Sequence, residues 1–207
     1  MISDTKVVAI GGGTGLSTML KGLKLHTHNI TAVVTVADDG GSSGILRSDL
    51  GMLAPGDVRN CVSALAEVDP VMGELLNFRF KDGSLKGHSL GNLFLAALNE
   101  TSSSFDEAVK KFSHLTGVVG TVYPVTNESV TLSALLEDGR LIEGESHIGV
   151  HHDGPKNGIV KLMVNPEKPK AVDGVIKALE KADIIVLGPG SLYTSIICLL
   201  YTSDAAD

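Results

Sequence analysis

The fold is decided by residues 7–15, which read Val-Val-Ala-Ile-Gly-Gly-Gly-Thr-Gly. The first four residues are continuously apolar, as in a parallel strand that is buried on both faces. Four of the next five are glycines, and apolar residues then recur at helical spacing from Leu16 to Leu23. A strand, a glycine turn and a helix therefore follow one another. The N–H groups of such a turn point together and can hold a phosphate.

The same arrangement occurs at two further places in the chain. Apolar residues 32–36 precede the glycine-serine turn at 40–44, and apolar residues 184–187 precede the glycine turn at 188–191. Predicted helices alternate with these strands, so the sequence predicts an α/β fold with a doubly wound, mainly parallel sheet. Ligands in such sheets bind beyond the carboxyl ends of the strands, where all three turns fall. Three turns at one edge favour a ligand with several phosphate oxygens, such as a nucleotide diphosphate.

A different pattern separates the second turn from the third. Residues 118–125, 130–136 and 141–145 are predicted strands, with a hairpin turn at 138–139 and a loop at 149–158. We expect a small β-rich, antiparallel insert at about 118–165. The insert would belong to one domain of residues 1–197, and residues 198–207 would form a tail outside it.

Composition limits the partners and the compartment. The net charge is -7, which disfavours nucleic acid and anionic membrane surfaces because both attract basic faces. The two cysteines, Cys61 and Cys198, do not form a zinc-type pair. The N-terminus lacks a signal-peptide core, and no apolar run approaches the roughly 20 residues of a membrane helix. We expect a cytoplasmic protein without a membrane span; its oligomeric state stays open, a homo-oligomer included.

Several charged residues are candidates for the site chemistry. Asp38 and Asp39 follow the second strand, where an acid can bind a ribose, hold Mg²⁺ against phosphates, or cap a turn. Asp57 precedes a helix predicted near 58–68 and is read as an N-cap, a metal ligand or a general base. Asp38 and Asp57 are thus the candidate catalytic and metal-binding residues. Arg47 and Arg59 could each grip a phosphate or form a surface ion pair.

Three familiar motifs lack a residue or a structural context that their function needs. The dinucleotide fingerprint needs a third glycine where Leu16 stands, which argues against a nicotinamide oxidoreductase, and no Gly-Lys-Ser/Thr follows to make a P-loop. Residues 87–91 spell Gly-x-Ser-x-Gly, but a polar segment precedes them where a nucleophile elbow needs a strand. A serine hydrolase is therefore disfavoured. Ser89 is instead expected to cap a helix, with His88 and Asn92 facing the ligand.

Five motifs lie, in chain order, at 10–17, 35–44, 55–60, 87–92 and 187–195. Together they resemble those of the YvcK-like gluconeogenesis factors, and the resemblance covers roughly residues 6–197. It implies a Rossmann-like fold and binding of a uridine diphosphate sugar, notably UDP-N-acetylglucosamine. It also implies a regulatory role, through protein partners, in cell shape, wall synthesis and growth on gluconeogenic carbon. Family members continue further, and residues 198–207 do not match them, so the chain looks C-terminally truncated.

These factors are in turn similar to the 2-phospho-L-lactate transferases, which use Mg²⁺ and a guanosine diphosphate donor. The transferases' acidic residues correspond to Asp38, Asp39 and Asp57. The turn at 40–44 is absent from the transferases and places this chain with the gluconeogenesis factors. A non-catalytic binding factor is therefore the first hypothesis, and a magnesium-dependent transferase is the alternative. The expected nucleotide-sugar contacts are Gly12, Gly13, Thr14, Gly15, Asp38, Asp39, Gly40, Gly41, Ser42, Ser43, Arg59, Asn60, His88, Asn92, Gly188, Gly190, Ser191 and Tyr193.

Overall fold

The structure is a computed structural model, and it describes residues 3–149 and 158–197. The predicted tail at 198–207, with Cys198, and most of the predicted loop at 149–158 lie outside this range. The described elements are β1 (Val7–Gly11), α1 (Gly13–Leu23), β2 (Ile30–Val34), α2 (Gly41–Leu50), α3 (Pro55–Leu65), α4 (Pro70–Asn77), α5 (Leu90–Glu100), α6 (Phe105–Leu115), β3 (Thr121–Pro124), β4 (Thr131–Leu136), β5 (Leu141–Glu143), α7 (Glu145–Gly149), β6 (Ile159–Asn165), α8 (Asp173–Glu180), β7 (Ile184–Leu187) and a π-helical segment (Leu192–Ile197).

A four-stranded sheet in the order β3-β2-β1-β7 forms the centre of the molecule. Every neighbouring pair in it is parallel, with Val7 opposite Ile30 on one side and Ile184 on the other. All five residues of β1 are buried, as the continuous apolar run predicts. Helices α1, α3 and α6 cover the sheet through Leu16, Leu65 and other apolar side chains of one continuous core. The predicted α/β fold with a mainly parallel sheet is confirmed.

The β-rich insert is a second, antiparallel sheet of three strands in the order β5-β4-β6. Strand β6 was not predicted as a strand, although it lies within the expected range of 118–165. One assignment was wrong: β3 pairs in parallel with β2 and belongs to the main sheet. Its side chains alternate between half-buried and buried because it is the outer strand. Alternation of this kind is also typical of an antiparallel strand, so the pattern alone did not separate the two.

The starts of helices α2 and α3 differ from the sequence prediction. The turn at 40–44 is largely helical, because α2 begins at Gly41. Helix α3 begins at Pro55, whose missing N–H costs nothing at that position, and not near residue 58. Asp57 therefore lies inside the first helical turn, and Ala54 occupies the N-cap position. The prediction of Asp57 as an N-cap was wrong, while Ser89 does cap α5 by accepting the N–H of Asn92.

Within residues 3–149 and 158–197, no helix is both long enough and apolar enough to span a membrane.

Candidate functional site

A cavity of about 310 Å³ opens at the carboxyl ends of the parallel strands. The turns after β1 and β7 form two of its walls, and residues that follow β2 form a third. This is the sheet edge at which the sequence predicts the ligand. The described residues that line it are Gly12, Gly13, Thr14, Gly15, Thr35, Asp38, Asp57, Glu145, Gly190, Ser191, Thr194 and Ser195.

Close packing between the first and third turns explains much of their glycine content. A Cβ on Gly15 would lie 2.8 Å from the carbonyl oxygen of Pro189, and one on Gly12 would lie 2.5 Å from the Oγ of Ser195. Both distances are shorter than atoms tolerate, so larger residues would force the two turns apart. The glycines thus bring two stretches of main chain together at the cavity.

The N-terminus of α1 forms the anion-attracting wall. The first N–H groups of a helix have no acceptor within the helix, and its dipole adds a partial positive charge there. One of them, the N–H of Gly13, donates a hydrogen bond to the carboxylate of Asp57. No lysine, arginine or histidine is among the described residues of the lining. Among the described residues of the lining, positive potential therefore comes from the main chain.

Asp57 is the most perturbed carboxylate of the site. Burial raises its pKa to about 6, and the negative charges of Asp38 and Glu145 act in the same direction. The N–H of Gly13 and the charge of Arg59 oppose the shift only in part. A carboxyl group with such a pKa exchanges its proton near neutral pH, which suits a general acid or base.

Asp38 also lies on the cavity wall, where its own loop holds it. Its Oδ1 accepts the N–H of Gly40 at 2.9 Å, which is the turn-capping role considered from the sequence. Arg47 fixes the same loop by donating to the carbonyl oxygens of Ala37 and Asp38, both at 3.2 Å. It also donates to Val130 O at 2.8 Å, at the start of the insert. Arg47 therefore binds main chain and lies outside the cavity lining.

Asp39 is used differently from its neighbour. Its carboxylate accepts the N–H groups of Glu145 and Ser146, each at 2.9 Å, and so caps the short helix α7 of the insert. Burial alone would raise the pKa of Asp39, but these hydrogen bonds and the charge of Arg47 outweigh it and lower the pKa. Asp39 does not line the cavity; it joins the insert to the main sheet.

Glu145 is brought to the cavity by this connection. It is half-buried there, and its carboxylate accepts a hydrogen bond from the side chain of Thr194. Burial raises the pKa of Glu145, and the charges of Asp38 and Asp39 add to the rise. Nothing in the sequence pattern points to this residue, since it lies in the insert, 106 residues from the Asp39 that holds it.

A buried polar network lies behind the cavity. Ser42 Oγ and His88 Nδ1 are 2.9 Å apart, and the side-chain amide of Asn92 donates to Ser42 Oγ at 3.1 Å. Arg59 Nε donates to Asn92 Oδ1 at 3.3 Å, and its Nη1 donates to Asn77 at 2.7 Å. Burial lowers the pKa of Arg59. His88 and Asn92, expected to face the ligand, are buried here because these bonds satisfy them.

The predicted contacts therefore divide into two groups. Residues of the first and third turns, together with Asp38 and Asp57, surround one cavity. Thr35, Glu145, Thr194 and Ser195 also line it and were missed, although Thr194 and Ser195 directly follow a predicted turn. The predicted residues outside the described lining are Asp39, Gly40, Gly41, Ser42, Ser43, Arg59, Asn60, His88, Asn92, Gly188 and Tyr193.

The carboxylates of the cavity bear on whether Mg²⁺ could bind there. Within the described ranges, no group of three or more His, Cys, Asp or Glu side chains is placed to hold a metal ion by itself. Mg²⁺ is commonly bound by one or two carboxylates together with substrate phosphates and water. Asp38 and Asp57, which share the cavity wall, fit that more modest role.

Comparison with known proteins assigns the chain to a family. The sequence profile described as "2-phospho-L-lactate transferase CofD" matches residues 7–207. The chain belongs to the CofD family. This CofD-family chain is 55% identical to a "Putative gluconeogenesis factor" of Thermoanaerobacterium thermosulfurigenes and 53% identical to one of Clostridium acetobutylicum. It is also similar to a crystal structure of a UPF0052 family protein from Bacillus halodurans, with a TM-score of 0.91 and 43% identity.

These relatives are longer than the CofD-family chain described here. The alignments cover 100%, 99% and 98% of this chain in turn, but only 64%, 45% and 64% of the three relatives. The family match reaches residue 207 and so includes the segment that sequence analysis set apart as a tail. The resemblance to gluconeogenesis factors and the expected α/β fold are both confirmed.

Proposed function

We propose that the protein binds a nucleotide diphosphate sugar of the UDP-N-acetylglucosamine type and acts as a regulatory factor. The single observation that carries the proposal is the cavity between the glycine turns, whose attraction for anions comes from main-chain N–H groups. Its volume of about 310 Å³ is near the lower end for small-molecule sites. A diphosphate needs several such donors, and the turns after β1 and β7 lie side by side to supply them.

The regulatory role is proposed from the relatives. Several proteins similar to this chain bear the name gluconeogenesis factor, two of them without qualification. We extend that role to growth on gluconeogenic carbon and to cell shape and wall synthesis. Ligand binding would favour one conformation of the protein, and partner proteins would recognise that conformation. We also propose that the protein acts in the cytoplasm, where nucleotide sugars are made.

Calorimetric titration with UDP-N-acetylglucosamine tests the binding directly. Thr14 is exposed at the cavity wall and lies in the first turn of α1. The variant Thr14→Glu places a carboxylate among the same N–H groups, and we expect it to weaken binding by about tenfold or more. A carboxylate near a helix N-terminus is stabilising, so the variant is expected to fold.

Thr18→Glu is the matched control for this experiment. Thr18 is exposed on the same helix, and it lies outside the cavity lining. The control adds the same charge and should leave the affinity nearly unchanged. Equal affinities of wild type and Thr14→Glu, or no binding by the wild type up to millimolar ligand, would reject the proposal.

A magnesium-dependent transferase of the 2-phospho-L-lactate type is the second candidate. Two observations favour it: the family bears that name, and Asp57 has a pKa of about 6 in the cavity. Mg²⁺ would neutralise charge on the leaving phosphate. Asp57 would accept a proton from the acceptor hydroxyl, and Asp38 would orient the donor. The variant Asp57→Asn should then keep donor affinity and lose product formation with a deazaflavin acceptor; absence of product from the wild type removes this candidate.

A further inference from the structure

We propose that Glu145 makes the cavity selective for a diphosphate esterified at both ends over one that ends in a free phosphate. The inference rests on the proposed function, because it takes a nucleotide diphosphate as the ligand class. It adds a determinant that lies in the insert and is separate from the glycine turns.

The position of Glu145 is fixed by its surroundings. Its own N–H is held by Asp39 at 2.9 Å, and its carboxylate is held by the side chain of Thr194. Gly144, just before it, has a φ of +95° and would place a Cβ 2.6 Å from the Asp39 carboxylate. Only glycine fits there, so the main chain delivers Glu145 to the cavity wall in one arrangement.

The charges around the cavity are unusual for a diphosphate site. Asp38, Asp57 and Glu145 all line it, and the described lining contains no cationic side chain. The opposing attraction comes from main-chain dipoles, which amount to about half an elementary charge at a helix N-terminus, and from Arg59, whose charge reaches Asp57 from outside the described lining. One of these N–H groups, that of Gly13, is already bonded to Asp57. The cavity can therefore accommodate only a limited amount of negative charge.

Diphosphates with and without a sugar on the terminal phosphate differ in their negative charge. A terminal phosphate has a second pKa near 6, so at neutral pH it carries nearly one charge more than a phosphate esterified on both sides. That additional charge meets the carboxylate of Glu145 and is repelled. A sugar in the same place has no such charge, and its hydroxyl or amide groups can donate hydrogen bonds to the carboxylate. Glu145 thus favours the sugar-bearing ligand in two ways: it repels a free terminal phosphate, and it accepts hydrogen bonds from the sugar.

The test compares UDP-N-acetylglucosamine with UDP in the presence of a chelator. We expect the wild type to prefer UDP-N-acetylglucosamine and the variant Glu145→Gln to bind UDP about tenfold more tightly than the wild type does. The variant should bind UDP-N-acetylglucosamine no more tightly than the wild type. In the wild type, the preference should also narrow at high salt, because salt screens the repulsion.

Glu143→Gln is the matched control, since Glu143 is an exposed carboxylate two residues away that does not line the cavity. It should leave both affinities unchanged. Equal binding of the two ligands by the wild type, or an affinity ratio unaltered in Glu145→Gln, overturns the role of Glu145 while the proposed function stands. Failure of both ligands to bind the wild type overturns the proposed function and this inference with it. The salt series needs no variant, and a ligand preference that high salt leaves unchanged overturns the proposal even if Glu145→Gln does not fold.

Discussion

Asp57 shows how a single residue can serve the site at the expense of stability. Its pKa of about 6 lies above the ordinary 3.8, so the folded protein holds this proton more tightly than the unfolded chain does. The stability that this provides is complete below pH 3.8 and is lost as the pH rises through 6. Above that pH, a largely buried carboxylate stays charged beside the charges of Asp38 and Glu145.

We therefore expect Asp57→Asn to stabilise the protein at neutral pH. The amide removes the buried charge, and its oxygen can still accept the N–H of Gly13. The free energy of unfolding should rise by about 1–3 kcal/mol near pH 7.5, and the gain should disappear near pH 4. Urea unfolding at both pH values measures the difference. Asp49→Asn, at an exposed position on α2, should change the free energy of unfolding little. An Asp57→Asn variant that is less stable than the wild type at neutral pH would contradict the expectation.

At the residue level, the sequence indicated which residues share the cavity where the chain itself brings them together. Gly12 to Gly15 and Gly190 follow parallel strands, and parallel strands end at one edge, so their meeting at the cavity follows from the alternating pattern. Glu145 could not be found in this way, because a tertiary hydrogen bond to Asp39 places it. His88 and Asn92 were misplaced for a related reason: a sequence does not reveal whether polar side chains satisfy one another.

At the scale of elements, the five-residue helix α7 depends on a partner from another part of the chain. An isolated helix of this length is unstable in water. The two N–H groups at its start are held by the Asp39 carboxylate, and Ile148 packs into the core. The Asp39 side chain, through its two hydrogen bonds, therefore holds the start of α7 at the cavity.

Removal of this side chain should loosen α7 selectively. We expect Asp39→Ala to destabilise the protein by about 1–3 kcal/mol, because two charge-assisted hydrogen bonds are lost and the N–H groups stay partly buried. Hydrogen exchange should quicken in residues 141–149 much more than in β1. Asp49→Ala, which removes an exposed carboxylate, should change neither. If Asp39→Ala quickens hydrogen exchange equally in residues 141–149 and in β1, Asp39 does not act locally.

Elements with strong periodic patterns were predictable, and those that depend on context were not. Helices α5 and α6 have regular apolar faces, and both were found from the sequence. Helix α2 begins with glycine and serine, which are poor helix formers. It is stable because Ser42 and Ser43 are buried; Ser43 Oγ accepts the N–H of Gly56 at 3.2 Å. Tertiary contacts of this kind outweigh local propensity.

At the scale of the whole molecule, strand β7 is more exposed than the other described strands of the main sheet. Strands of a parallel sheet are usually covered on both faces, and β1 is. In β7, at the outer edge of the sheet, Ile184, Ile185 and Leu187 are 49%, 51% and 55% exposed. An outer strand with apolar side chains exposed on both faces is prone to pair with another chain.

We expect the chain to self-associate through β7 at high concentration. Ile185→Lys should reduce the association, because a charged side chain on an outer strand opposes pairing. Sedimentation at increasing concentration measures the change in average mass. Leu25→Lys is the control, since Leu25 is 72% exposed away from the sheet and the substitution adds the same charge. If both variants associate as the wild type does, β7 is not the contact surface.

The proposed use of main-chain N–H groups to bind the anion also has a genetic consequence. Every residue type except proline carries an N–H, so most codon changes in the turns after β1 and β7 leave the donors in place. What such changes alter is bulk, and Gly13 and Gly15 have no room for it: a Cβ there would lie 2.1 Å from Asp57 and 2.8 Å from Pro189. In a saturation screen, loss-of-function substitutions should therefore concentrate at Gly13 and Gly15. At these two positions, alanine should be nearly as harmful as arginine.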